Sequence, residues 1–154
     1  MRKQRWYGQA RRWLSLVGVS AAVLACSTGT AAAREISLRE VASLHITKRA
    51  GANLEARGKV AGTLAGSLSL RIVVNSADSM SASFSGSSHA GTLNGAGRSS
   101  YVVSGNTLTY TGSGSISGGS GAYAHASGSG IRIEGKMNRQ QGTVSMTISG
   151  QMRL

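Results

Sequence analysis

The chain carries few residues of the types that do chemistry. Its histidines are His45, His89 and His125, its acids Glu35, Glu40, Glu55, Asp78 and Glu134, and its one cysteine Cys26. Three histidines would suffice in number for a zinc site. None stands two or four residues from another, so such a site would have to assemble across strands, with few carboxylates to orient the imidazoles. They read as exposed or barrel-end residues, and no metal is expected. His125 differs in its context. It lies in the stretch SGGSGAYAHASGSG, Ser117 to Gly130, two residues after Tyr123. On one extended strand these two side chains share a face. If that face is inward, both line a pocket mouth, which makes Tyr123 and His125 the candidate ligand-binding residues.

Other chemistries are excluded by what stands beside the suggestive residues. Gly114 to Gly119 has the glycine spacing of a phosphate loop, but Ser120 occupies the lysine position and no helical pattern follows. A dinucleotide fingerprint needs a strand–helix–strand unit, and a calcium repeat of the G-G-x-G-x-D kind needs an aspartate; neither is present. GGSGA misses the nucleophile-elbow form, and its surroundings are all-β. Nothing in the spacing of the acids couples a pair for glycoside hydrolysis. No catalytic residue and no cofactor is assigned. The Gly-rich stretch reads as a turn or bulge between two strands.

The elements that must position these residues begin with a leader. MRKQRWYGQARR is basic, WLSLVGVSAAVLAC is apolar, and STGTAAA ends in small residues, the order of a secretory signal peptide. The apolar run is shorter than the roughly 20 residues of a spanning helix. Residues 1–33 are therefore read as a signal peptide and 34–154 as one exported domain, secreted or in the periplasm or cell envelope. Arg11-Arg12 leaves twin-arginine export open. Cys26 after AVLA leaves open a lipoprotein, anchored through Cys26. Losing Arg2, Lys3, Arg5, Arg11 and Arg12 lowers the net charge from +12 to +7. Cleavage after Ala33 also removes the one cysteine, so the domain would hold no disulfide.

With 22 glycines and abundant serine, disorder has to be weighed against structure. Periodicity decides for structure. Leu64, Leu68, Leu70, Ile72 and Val74 share a phase, as do Met80, Ala82 and Phe84, then Leu108, Tyr110 and Ile116, then Ile131 and Ile133, and then Val144, Met146, Ile148 and Met152. Alternation of this kind marks strands with one buried face. SGN at 104–106 and RQQG at 139–142 read as hairpin turns. In EISLREVASLHITKRAG, Ile36, Leu38, Glu40 and Ala42 alternate poorly, and a short helix is possible there. Counting segments gives an all-β domain, a small antiparallel β-barrel of about eight strands. A membrane barrel is disfavoured, because the four aromatics of residues 34–154, Phe84, Tyr101, Tyr110 and Tyr123, cannot form two girdles and Ser and Thr would meet lipid.

Gly118, Gly119, Ser120, Gly121, Tyr123, Ala124, Ala126 and Gly128 carry a family resemblance. The segment resembles secreted bacterial proteins of unknown function whose commoner motif reads G-G-T-G-x-Y-A-x-A-x-G, with Ser120 replacing the threonine. GKVAGTLAGSLSL is similar to an earlier hairpin of that group. The motif also resembles that of the allene oxide cyclase and dirigent-like barrels. The resemblance implies an eight-stranded antiparallel barrel whose interior can hold an apolar ligand. It carries no catalytic residue onto this chain. The expected function is non-enzymatic binding of a small apolar ligand or an anionic envelope polymer. The alternatives are a cyclase-like enzyme acting inside the barrel and a structural or self-associating surface protein. The positive charge comes without stacking aromatics, so specific nucleic-acid binding is not expected, nor is a transmembrane span in the mature chain.

Overall fold

The computed structural model describes residues 33–154; residues 1–32 of the expected signal peptide, Cys26 among them, lie outside the described residues. Eight antiparallel strands follow one another: β1 Glu35–Ala50, β2 Asn53–Gly62, β3 Gly66–Val74, β4 Ser79–Ser88, β5 Gly91–Ser104, β6 Thr107–Gly119, β7 Gly128–Asn138 and β8 Thr143–Arg153. Each pairs with the next and β8 pairs with β1, so the sheet closes into a barrel. Closure leaves no edge strand to recruit a neighbouring chain. The in-phase apolar residues of every strand point inward. SGN and RQQG are the β5–β6 and β7–β8 turns.

The start of the domain corrects one expectation. EISLREVASLHITKRA forms no helix; it is the 16-residue strand β1. The alternation is intact once Glu40 is counted as inward, between Leu38 and Ala42, with Leu44 continuing the phase. A register shift between Ile46 and Lys48 bends its far end.

Inside, two clusters stack along the barrel axis. Leu44, Leu70, Tyr110 and Val144 belong to one; Leu38, Ile116, Tyr123 and Met152 belong to the other, at the end where β1 starts and β8 finishes. Phe84 and Ile148 pack against both. Large rings sit opposite inward glycines. Phe84 pairs across the sheet with Gly95 and Tyr110 with Gly135. A Cβ on either glycine would run into its ring. The missing side chains let each ring lie flat on the neighbouring strand, which covers the glycine and curves the wall.

The outer wall is mostly Ser, Thr and Arg. Among the described residues the exposed large hydrophobic ones are Val41, Val102 and Val103. Among the described residues no helix is long and apolar enough to cross a membrane.

Candidate functional site

The interior is not filled solid. A cavity of about 90 Å³ lies between the two clusters. Small residues on β5 and β6 create it. Gly97 and Gly114 face inward, and the Ile133 side chain leans over them, about 3 Å from where their Cβ atoms would stand. Leu68, Leu70 and Ile72 of β3 supply another wall, with Met80 and Met146 beside them. Methionine is unbranched and polarizable, so this lining can adapt to an occupant. A cavity of about 150 Å³ admits benzene. The smaller volume here suits a slender aliphatic segment better than a ring.

One charged residue type breaks this apolar lining. Glu40 is only 4 % exposed and stands in register between Gly62 of β2 and Ile148 of β8. Its Oε1 accepts a hydrogen bond of 2.9 Å from the Leu64 backbone N–H. Its Oε2 is buried and has no partner among the described residues. Burial pushes the carboxyl above the ordinary glutamate value, and the Leu64 and Thr63 groups offset only part of that. An unpaired carboxylate in such surroundings is costly, so burial shifts the balance toward the neutral form. A protonated carboxyl can donate one hydrogen bond to an acceptor in the cavity.

Gly62 makes the room for this carboxyl. Its φ of +137° is unfavourable for other residues, and a Cβ there would lie 2.7 Å from Glu40 Oε2 and collide with the Arg39 carbonyl. Glycine has no such atom and reaches this φ without strain.

The stretch Ser117 to Gly130 closes the end of the barrel beside the start of β1 and the end of β8. β6 runs to Gly119, a 3-10 turn spans Gly121–Tyr123, and β7 starts at Gly128. Ser120 N and Ala122 N bond the carbonyls of Thr92 and Ala90, at 2.9 Å each, which clips the turn onto the start of β5. Tyr123 is buried, lines the cavity and has its hydroxyl 3.5 Å from Ser88 Oγ.

The expectation that Tyr123 and His125 share a face is corrected here. The turn breaks the two-residue period, so Tyr123 points in while His125 is exposed and does not line the cavity. Replacing His125 by alanine is therefore expected to shift stability by no more than about 0.5 kcal/mol, as read by thermal denaturation. His45 and His89 are also exposed. Among the described residues no three of His, Cys, Asp and Glu gather closely enough to hold a metal ion.

Glu40 was visible in the sequence only through its phase. A carboxylate between Leu38 and Ala42 on an alternating strand signals a buried acid, but the same residue makes the alternation look broken. Tyr110 is the other perturbed group. Burial pushes its phenol up, and its hydroxyl bonds the Ser145 carbonyl at 3.3 Å, a role within the wall. A scan against protein families and searches of curated proteins and of solved structures find no match to this chain.

Proposed function

We propose that the barrel binds a small, slender apolar ligand in its interior, with the Glu40 carboxyl meeting a hydrogen-bond acceptor on that ligand. The observation that carries this reading is the buried, unpartnered Oε2 of Glu40, a residue that lines a largely apolar cavity. A buried polar atom without a partner is rare in folded proteins and asks for an explanation. A neutral acceptor, such as a carbonyl, supplies the missing partner without adding charge. The likeness of the Tyr123 motif to ligand-holding barrels supports the same reading.

Linear methyl ketones test it. From 2-pentanone to longer chains, affinity should rise about fourfold per methylene, the ~0.8 kcal/mol of a buried CH₂, and stop rising once the cavity is full. n-Alkanes of equal length should bind more weakly. Ketone affinity should fall as pH rises and Glu40 loses its proton. In Glu40→Gln, whose amide still donates, it should not depend on pH. Equal affinity for ketone and alkane at low pH would count against the role of Glu40.

The same unpartnered oxygen favours a second reading, a cyclase-like enzyme in which Glu40 protonates the substrate carbonyl oxygen and its carboxylate then takes an α-hydrogen, giving the enol and restoring the acid. That reading expects the chain to speed exchange of the α-hydrogens of 2-pentanone for deuterium in D₂O. Glu40→Gln would bind the ketone and not speed the exchange. Ketone binding without exchange in the unsubstituted chain supports the binding protein.

A further inference from the structure

A second feature lies on the outer wall, independent of the cavity. Register places Ser81 of β4 opposite Arg98 of β5, and Arg98 opposite Ser113 of β6. Ser113 faces Arg132 of β7, Arg132 faces Ser149 of β8, and Ser149 faces Arg39 of β1. One continuous row thus crosses six adjoining strands with serine and arginine in alternation. Adjacent strands lie about 4.8 Å apart, so successive arginines stand roughly 9–10 Å apart.

The acids of the wall leave two of the row's three arginines, Arg39 and Arg98, unpaired among the described residues. Glu35 pairs with Arg153 and Glu55 with Arg71, Asp78 takes a hydrogen bond from Ser76, and Glu40 is buried. Glu134 pairs with Arg132. Arg39 and Arg98 are exposed and have no acidic partner among the described residues. Two shallow grooves flank Arg98, and Ser81, Arg98 and Ser113 line both. Their floors are made of small residues such as Ala96 and Thr111, so a chain could lie close to the backbone.

We propose that this row binds a linear polysaccharide bearing carboxylates, a uronate polymer laid across the strands. Guanidinium groups match carboxylates with two parallel hydrogen bonds. The serine hydroxyls between them can meet sugar hydroxyls. The shape of the row selects a chain over other anions. A bilayer surface touches a cylinder along one side only, whereas this row passes over six of the eight strands, and a flexible polymer can follow it. Single-stranded nucleic acid needs stacking aromatics, and of the aromatics among the described residues Tyr110 and Tyr123 are buried while Phe84 and Tyr101 are half-buried.

Polygalacturonate is the probe, with neutral dextran as its control. Arg39→Ser with Arg98→Ser removes two charges from the row. Arg57→Ser with Lys59→Ser removes two exposed charges on β2, outside it. The row variant should lose tenfold or more in affinity, and its slope of log affinity against log salt should fall by about two, one per lost contact. The β2 variant should lose less than threefold and keep its slope. Ser113→Glu sets a carboxylate between Arg98 and Arg132 and should weaken binding at least as much as the row variant. Equal losses in both double variants would mean a diffuse charge effect and overturn the proposal. So would uptake on phosphatidylglycerol vesicles that depends on the row when polygalacturonate does not bind.

Discussion

Gly62→Ala is expected to destabilise the barrel by about 3 kcal/mol, the largest effect anticipated for so small a change. Two costs add. A residue other than glycine held at positive φ stores strain of about 1–3 kcal/mol, and Gly62 sits at +137°. The new Cβ also runs into the Arg39 carbonyl and the Glu40 carboxylate, and overpacking costs about 1–3 kcal/mol. In urea the midpoint should fall with the slope unchanged. Gly51 provides the control. Its φ is also positive, at +57°, but a Cβ there meets nothing within 4 Å. Gly51→Ala should cost about 1–2 kcal/mol, the left-handed penalty alone. Equal losses at the two positions would show that Gly62 is needed for its backbone and not for the room it gives Glu40.

Glu40→Gln should be more stable than the unsubstituted protein at pH 8, because burial opposes ionisation of the Glu40 carboxyl and glutamine has nothing to ionise. The sign follows from linkage. Burial raises the folded-state value above the ordinary 4.5, so over the interval between the two the folded state binds more protons than the unfolded one. Stability then falls as pH rises from about the ordinary carboxylate value through the raised one. Glutamine keeps the oxygen that accepts from Leu64 N–H and has no proton to lose. The two proteins should therefore be about equally stable near pH 4 and diverge as pH rises. Parallel stability curves from pH 4 to 8 would mean that Glu40 does not titrate differently in the folded state.

The barrel was legible because its strands keep strict phase. Leu68, Leu70 and Ile72 or Val144, Met146 and Ile148 each announce a buried face, and serine between them announces a wet one. β1 was harder to read for the reason that gives it interest. Its inward position 40 is an acid, and an acid in phase with Leu38 and Ala42 looks like broken alternation until the sheet is closed around it. The stretch around Tyr123 could be read as a connection between strands from its glycines alone. The rotation that buries Tyr123 and exposes His125 could not, because it depends on one 3-10 turn held by the carbonyls of Ala90 and Thr92. The cavity itself follows from side chains that are absent, at Gly97 and Gly114. Its existence depends on how far Ile133 reaches over them. The outer row from Ser81 to Arg39 is equally silent in the sequence, since register alone brings six distant residues into line.

The central claim is that an apolar ligand enters the barrel and meets Glu40. Nuclear Overhauser contacts from bound 2-pentanone test it most directly. The ketone chain should show contacts to the methyl groups of Met80, Met146 and Ile133, and its carbonyl should be closest to Glu40. Contacts confined to the exposed Val41, Val102 and Val103, or none to the interior methyls at saturating ketone, would contradict it.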